Sequence, residues 1–230
     1  MILSDVQIQE ALERGKAKGG ICIEPFNPES LEPASYDLHV GDQAATSREP
    51  HKVNIAESGM LVLWPGDFAI VTTQEKIHFS AKHVGRFGLT SSYARKGLIA
   101  TAGAQIDPGF QGRLLVGLTN LSTKQIVLPH SDKFLTMEMH ELSRPSAKPY
   151  QGPYQGRDEL HPEDIQAVME REVYSLSEIT NTLRTLVSTV DGLKQTVDGL
   201  QQAITKNERL MALWAAFILA GVAIIVSLGD

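Results

Sequence analysis

The spacing of hydrophobic residues changes along this chain of 230 residues, and the change divides it into parts that cannot share one fold. Up to about residue 145, short apolar segments alternate with Gly- and Pro-containing turns such as Trp64–Asp67 and Asp107–Gly109. Many short strands separated by such turns are typical of a β-barrel or sandwich. Beyond residue 173, apolar residues recur every three or four positions, which is typical of a helix. The sequence therefore predicts a mainly β domain over 1–145, followed by a long helix.

The β domain should begin with a helix and continue with several strands. Ser4 is the predicted N-cap of the helix, which should bury Val6, Ile8, Ala11 and Leu12. The predicted strands are Gly59–Leu63, Phe68–Thr73, Leu114–Leu118, Gln125–Leu128 and Phe134–His140.

The second part of the chain has two compositions. Residues 146–172 are rich in Pro, Tyr, Gln and acidic side chains, which bury little surface, so they are predicted to form a mobile lid and linker. Residues 173–209 carry apolar side chains at two heptad positions, which favours a coiled coil over a single helix on the domain's flank. These residues do not decide between two and three strands. The two heptad sets are Leu176, Leu183, Val190, Val197 and Ile204, and Ile179, Leu186, Leu193 and Leu200.

The last apolar segment, 210–228, contains no charged residue. As a helix its roughly 19 residues span about 28 Å, close to the ~30 Å of a bilayer core. A buried soluble helix is the alternative. Because Lys206 and Arg209 precede the segment, the positive-inside tendency places residues 1–209 in the cytoplasm. The sequence thus predicts a single-pass tail anchor in the cell membrane.

Composition excludes several classes of function. A net charge of -6 gives no basic footprint for nucleic acid, although a triphosphate needs only local cations. Cys22 is the only cysteine, so the chain has neither an internal disulfide, which fits a reducing compartment, nor the cysteine pair of a zinc deaminase. There is no GxxxxGK[ST] loop, and Arg144 stands where a zincin motif starting at His140 would need its second histidine.

Two neighbouring motifs suggest chemistry on a phosphate chain. Ser91, Ser92 and Arg95 offer hydroxyl and guanidinium donors of the kind that bind oxyanions. Asp107 follows shortly after, on a turn restricted by a Pro-Gly pair. Its carboxylate can activate water, or it can simply cap the turn. Phe110, on the same turn, can stack on a nucleotide or fill the core.

Several segments together carry a resemblance to a known family. They are MILSDVQI at the start, EPASYDLHVGD over Glu32–Asp42, WPGDFAIVTTQE over Trp64–Glu75, the SSYAR and IDPGFQG motifs, and PYQGPYQG near residue 154. In this order they resemble the dCTP deaminase family, within the superfamily shared with trimeric dUTPases, over residues 1–157. The resemblance implies a distorted β-barrel, a homotrimer with active sites between subunits, and Mg²⁺ held on the triphosphate of a deoxynucleotide.

The resemblance also implies roles for individual residues. It gives phosphate contacts to Ser91 and Arg95, with Ser92 beside them, and the water-activating acid to Asp107. Asp37 of the ASYDL motif would support the site. The lid residues Tyr154 and Gln155 would close over the nucleotide.

One departure from the family pattern bears on the reaction. Deaminating members carry a Glu ten residues beyond this Asp to move protons at C4 of the base, whereas this chain has Gly117. Deamination needs such a proton shuttle, and its loss costs several orders of magnitude in rate. Three other positions also differ: Thr90 replaces a frequent Arg, Thr136 a frequent Gln, and Pro153 a usual Lys, for which Arg157 or Lys148 would compensate. Arg157 is therefore counted among the expected phosphate-binding residues.

Three hypotheses about function follow. The first is a Mg²⁺-dependent pyrophosphatase that converts dUTP to dUMP and pyrophosphate. The second is a dCTP deaminase that forms dUTP and ammonia, with another acid in place of Gly117. The third is an inactive, nucleotide-sensing membrane scaffold.

Overall fold

The computed structural model describes residues 1–49, 51–101, 103, 105–170 and 176–227. The chain divides into two compact units, Met1–Ser177 and Glu178–Asp230. The first contains all strands of the described residues, and the second consists of helix.

Helix α1, Asp5–Arg14, begins where the sequence predicted. Ser4 and Gln7 form a capping box, in which the Ser4 backbone N–H donates to Gln7 Oε1 over 3.0 Å. Val6 is 58% exposed, so its predicted burial is wrong. It lies two residues, or about 200°, from Ile8 around the helix and therefore faces solvent. The buried face carries Ile8 and Ala11, with Leu12 packed against its edge.

Ten of the strands form one antiparallel sheet, in which neighbouring strands are mostly not consecutive in the chain. The other two strands form a separate pair. The central path runs β8-β10-β6-β3-β12-β7-β9, with β1 paired to β6, and β2 and β4 paired to β3, while β11 pairs with β5. The mainly β prediction is confirmed. The strands are β1 Ile21–Glu24, β2 Leu31–Glu32, β3 Ser35–Thr46, β4 Val53–Asn54, β5 Met60–Leu63, β6 Phe68–Phe79, β7 His83–Leu89, β8 Leu98–Ala100, β9 Gln105–Ile106, β10 Gln111–Asn120, β11 Ile126–Pro129 and β12 Lys133–Glu141.

All five predicted strands are present, but two are much longer than predicted. Strand β6 continues through the polar residues 74–76 because Glu75 points inward, where it accepts a hydrogen bond from the His39 backbone N–H over 3.0 Å. Strand β10 extends from Gln111 to Asn120. These two strands pair along most of their length and carry one wall of the site described below.

The main core is a cluster of buried apolar side chains drawn from helix α1 and from most of the strands. Full burial of each large apolar side chain contributes about 1.5–3 kcal/mol. Short helices α2, Ile55–Ser58, and α3, Ser91–Arg95, connect strands at the edge of the core. The largest fully buried side chains include Tyr36, Tyr93, Phe79, Phe134, Leu38 and Leu63.

The polar segment after β12 contains a helix that the sequence did not predict, α4, Pro162–Met169. Leu160 and Val168 are buried against Ala45 and Phe68 of the sheet. The expectation that this segment buries little is therefore wrong over residues 157–168. Its mobility stays a prediction.

Helix α5, Leu176–Ser227, makes up nearly all of the second unit. Within the single chain, its described heptad residues from Leu183 to Ile204 are each more than half exposed. The helix is thus present, and the coiled coil is not shown. Residues 171–175 and Leu228, parts of the predicted linker, coil and anchor, lie outside the described residues, as do the side chains of Leu176 and Ile179.

The predicted membrane anchor is not supported: in the parts of the chain that the structure describes, no helix is both long and apolar enough to cross a membrane.

Candidate active site

The Asp107 turn is fixed by both backbone and side-chain contacts. The Asp107 carbonyl accepts a hydrogen bond from Phe110 N over 3.1 Å, and Gln105 Nε2 donates to Asp107 Oδ1 over 2.7 Å. Gly109 has φ +86°, and a Cβ there would lie 2.5 Å from Pro149 Cβ, so only glycine fits. The half-buried carboxylate is therefore held in one orientation, with Oδ2 on the side away from Gln105.

Asp107 lines a cavity of about 440 Å³. This volume lies in the ~300–1,000 Å³ range of small-molecule sites. Strands β6 and β10, the Asp107 turn, the lid and helix α4 all contribute to its walls. The lining residues include Phe68, Ile70, Thr101, Gln105, Asp107, Phe110, Arg113, Leu115, Gly117, Tyr150, Tyr154 and Asp164.

Gly117 lies in the same cavity, opposite Ile70 in the pairing of β10 with β6. A Cβ at this position would lie 2.5 Å from Thr101 Oγ1 and 3.1 Å from Phe68 Cε2. Real Cβ atoms essentially never lie as close as 2.5 Å to another atom, because cores are close-packed. A side chain at position 117 would therefore require its neighbours, above all Thr101, to move.

Gln155 attaches the lid to the Asp107 turn. Its Oε1 accepts a hydrogen bond from Gln111 N over 3.0 Å, and its Nε2 donates to Gly109 O over 2.9 Å. The ring of Tyr150, from the first Tyr-Gln-Gly copy, packs on Phe110 with centroids 5.9 Å apart. The structure thus gives Gln155 a role in positioning the turn, and its predicted contact with a nucleotide stays a prediction.

Tyr154 and Arg157 contact each other rather than standing free. The Arg157 guanidinium lies 4.8 Å from the centroid of the Tyr154 ring. Its Nη1 donates to Asp164 Oδ2 over 2.9 Å and to Oδ1 over 3.2 Å, its Nε donates to Pro153 O over 3.0 Å, and Nη2 bonds Glu163. Arg157 is only 8% exposed. The expected phosphate contact of Arg157 would require breaking these bonds.

The predicted phosphate-binding group lies away from this cavity. Ser91, Ser92 and Arg95 are all exposed on helix α3, and none of them lines the Asp107 cavity. Ser92 Oγ instead lies 3.0 Å from Thr90 Oγ1. Within one chain, the predicted phosphate-binding residues therefore do not share a cavity with Asp107, the predicted catalytic base.

Helix α3 is nevertheless firmly positioned by Tyr93, which is 2% exposed. The Tyr93 hydroxyl donates to Asp132 Oδ2 over 2.5 Å. Burial, together with this carboxylate, raises the pKa of Tyr93. The hydroxyl therefore stays protonated and keeps its hydrogen bond. This bond ties helix α3, which also carries Ser91 and Arg95, to Asp132.

Asp37, the predicted supporting residue, lies on β3 opposite Thr136 of β12. Its Oδ2 is 3.8 Å from Lys133 Nζ. Asp37 does not line the Asp107 cavity, so within one chain it has no direct contact with that site.

Sequence reasoning missed three polar contributors to the cavity. Gln105 orients Asp107, while Arg113 Nη1 bonds Thr73 O over 3.1 Å and Asp42 Oδ2 over 3.3 Å. Asp164 comes from helix α4, which was itself not predicted. Arg113 directly follows the IDPGFQG motif, so its proximity to Asp107 was the one signal available.

The described residues contain no cluster of three or more His, Cys, Asp or Glu side chains suited to a metal ion. The cavity does offer single carboxylates, such as Asp107, which suit a hard cation that brings most of its own ligands.

The comparisons with known proteins agree with this fold. A family model described as dCTP deaminase-like matches residues 2–142. The chain belongs to the dCTP deaminase-like family. A dCTP deaminase of Thermococcus sibiricus is 37% identical over 145 residues, covering 63% of this chain and 91% of the relative. A relative named "dCTP deaminase, dUMP-forming", from Tropheryma whipplei, is 35% identical over 179 residues, covering 68% of this chain and 89% of the relative.

A solved structure extends the comparison of the fold. The 2'-deoxycytidine 5'-triphosphate deaminase of Agrobacterium tumefaciens superposes with a TM-score of 0.50 at 21% sequence identity, covering 60% of this family member and 47% of that chain. At this identity the likeness concerns the fold alone. The family match ends at residue 142, so the lid, helix α4 and helix α5 lie beyond it.

Proposed function

We propose that the chain is a Mg²⁺-dependent deoxypyrimidine triphosphate pyrophosphatase that converts dUTP to dUMP and pyrophosphate. One observation carries this reading. The cavity that holds Asp107 is also lined by Gly117, so the position of the deaminase-type Glu offers no ionisable group there. The site thus has an acid to activate water and has no acid at position 117 to move protons.

The proposed reaction uses the residues as follows. Asp107 Oδ2 accepts a proton from water while Gln105 holds Oδ1, 2.7 Å away. The water oxygen forms a bond to the α-phosphorus, the bond from that phosphorus to the bridging oxygen breaks, and pyrophosphate leaves. Mg²⁺ carried by the triphosphate would neutralise the charge that develops on the phosphate chain.

A homotrimer completes this site in the proposal. Ser91 and Arg95 lie outside the Asp107 cavity of their own chain, on a helix fixed by Tyr93. In the trimer, these exposed groups would serve as the phosphate-binding residues of a neighbouring copy's cavity. Closed symmetric assemblies are the common state of soluble homo-oligomers.

The long helix α5 supports self-association as well. Seven apolar side chains follow one another along it at intervals of three and four residues, each at least 54% exposed in the single chain. Packed against copies of themselves, they would form the coiled coil predicted from the heptads. Light scattering of the full chain tests this assembly, and a monomeric mass contradicts it. The stripe comprises Leu183, Leu186, Val190, Leu193, Val197, Leu200 and Ile204.

The position in the cell rests on the sequence alone. Attachment to the cell membrane through 210–228, with residues 1–209 in the cytoplasm, is the arrangement we propose. Fractionation of cells that express the full chain, with and without an alkaline wash, tests it. Recovery in the soluble fraction contradicts it.

The decisive experiment incubates the full chain with dUTP, and in parallel with dCTP, in the presence of Mg²⁺. We expect pyrophosphate and dUMP from dUTP, detected by chromatography. Asp107→Asn should lower turnover by at least a hundredfold while nucleotide binding survives, because only the base is lost. The matched control is Asp191→Asn, an exposed residue of α5, which should behave as wild type. A fully active Asp107→Asn variant would reduce Asp107 to a turn residue.

A second candidate, dCTP deamination, is favoured by the names of the relatives that are 34–37% identical to this chain. It predicts ammonia and dUTP from dCTP. Unchanged nucleotide from both substrates would instead support the third hypothesis, a nucleotide-binding scaffold without activity.

A further inference from the structure

Strand β10 is irregular where it borders the candidate site. Its pairing with β6 shifts register between Arg113 and Leu115, and the Leu114 backbone N–H donates to Thr73 Oγ1 over 3.0 Å. In a regular strand, neighbouring residues face opposite sides of the sheet. Arg113, Leu114 and Leu115 nevertheless all line the Asp107 cavity. Because β-bulges commonly re-aim a side chain beside an active site, the direction of Arg113 is informative.

Arg113 supplies the cavity with a positive charge. Among the described residues that line this cavity, Arg113 is the sole Lys or Arg, whereas two carboxylates, Asp107 and Asp164, lie in the same wall. Asp164 is already paired with Arg157, but Asp107 has only an uncharged amide as its partner. A polyanion that enters such a site is repelled by the carboxylate unless a cation is close by. Arg113 is the side chain of this cavity that can offset the repulsion.

The protein itself uses only one nitrogen of the Arg113 guanidinium. Nη1 donates to Thr73 O over 3.1 Å and to Asp42 Oδ2 over 3.3 Å. Neither Nε nor Nη2 donates to any residue that the structure describes, and Nε is buried. A buried donor without an acceptor costs free energy. Nε and Nη2 share one edge of the planar guanidinium, the edge that binds an oxyanion through two parallel hydrogen bonds.

The ion pair with Asp42 does not account for this free edge. The Asp42 side chain is 45% exposed, and its other oxygen, Oδ1, lies 2.9 Å from His130 Nε2. Exposed ion pairs contribute little to stability. Asp42 therefore engages Nη1 alone, and the guanidinium can turn its free edge toward a ligand at the cost of two bonds at most.

We propose that Arg113 binds a phosphate oxyanion of the ligand through Nε and Nη2. The inference rests on the proposed function and adds to it a phosphate-binding residue that lies in the same chain and the same cavity as Asp107. Ser91 and Arg95, by contrast, lie outside that cavity. Arg113 makes and breaks no covalent bond, so its role is in binding.

Calorimetry of the full chain with Mg²⁺ and the non-hydrolysable α,β-imido analogue of dUTP tests this role. We expect Arg113→Gln to weaken binding by about tenfold or more, because hydrogen bonds between charged groups are lost. Light scattering should show the wild-type mass, so that altered assembly is not the cause. Wild-type affinity in Arg113→Gln overturns the proposal.

Asp42→Asn separates binding from a structural role. It removes the charge of the ion pair and leaves Arg113 in place, so the affinity should stay within about twofold of wild type. If Arg113 acted only by holding Asp42, the two variants would be equally weak, which overturns the proposal. The matched control for loss of a positive charge is Arg86→Gln, an exposed residue of β7, which should bind as wild type.

Arg113→Lys covers the case in which Arg113→Gln does not fold. A lysine keeps the charge but has no planar edge with two donors, so binding should weaken by about threefold or more. Unchanged affinity in Arg113→Lys overturns the proposal on its own.

Failure of this inference and failure of the proposed function are distinguishable, because the binding measurement involves no turnover. Hydrolysis of dUTP by wild type, together with unchanged binding in Arg113→Gln, rejects the role of Arg113 and leaves the proposed function standing. Binding that depends on Arg113 without any release of pyrophosphate does the reverse.

Discussion

At the scale of single residues, Gly117 decides how the family chemistry is read. A glycine in place of a Glu looks like a simple deletion in the sequence, and restoring the acid looks like a one-residue repair. In the structure, a Cβ at this position would lie 2.5 Å from Thr101 Oγ1 and 3.1 Å from Phe68 Cε2. Restoring the acid therefore requires these neighbours to move.

Gly117→Glu should destabilise the β domain by about 1–3 kcal/mol, because its Cβ would lie too close to Thr101 and Phe68 for both to keep their positions. We expect no ammonia from dCTP. Thermal unfolding measures the first effect and an ammonia assay the second.

The companion variant for this prediction is Gly117→Glu with Thr101→Ala, which removes the atom 2.5 Å from the new Cβ. It should regain part of the lost stability. Wild-type stability of the single variant would mean that the pocket yields more easily than its contacts indicate.

How far single residues could be predicted depended on how local their determinants are. Ser4 and the Asp107 turn were predictable, because caps and Pro-Gly turns are set by neighbours in sequence. The ion pair of Arg157 with Asp164 was not, because the residues meet only once α4 packs on the sheet. The sequence gives no sign that Asp164 is the partner of Arg157, so it predicts a phosphate contact for Arg157 instead.

At the scale of elements, strands were easier to predict than their ends. The alternation of apolar residues placed β5, β6, β10, β11 and β12, whereas the ends of β6 and β10 depend on pairing with each other. Helix α4 was not predicted, because its few apolar residues lie in an acidic, Pro-containing segment. Burial against Phe68 makes it a helix, so tertiary contact overrode composition.

The attachment of the lid offers a test at this scale. Gln155→Ala removes the two hydrogen bonds to the Gly109–Gln111 turn, which together contribute about 1–2 kcal/mol. Limited proteolysis over residues 143–160 should become several times faster. Turnover should fall, because the Asp107 turn loses a support.

The control is Gln151→Ala, since Gln151 is the exposed equivalent in the first Tyr-Gln-Gly copy. It should be cleaved at the wild-type rate. Equal cleavage of the two variants would show that Gln155 does not hold the lid.

At the scale of the whole molecule, the separation of Arg95 from Asp107 predicts that activity is shared between chains. Arg95→Ala and Asp107→Asn should each be inactive alone. Co-assembled in equal amounts, they should recover about a quarter of wild-type turnover, because random mixing joins the two intact halves in that fraction of interfaces.

Pyrophosphate release by the purified mixed assembly measures this recovery. Separately assembled variants, combined without exchange of chains, are the control. Mixed assemblies as inactive as their parents would contradict a site shared between chains.

The hydrogen bonds of Gln155 have a consequence for how the lid can move. They join the lid to the Asp107 turn through a single amide side chain. Displacements of residues 154–156 and of that turn are therefore coupled, because neither can shift far from the other until both bonds break.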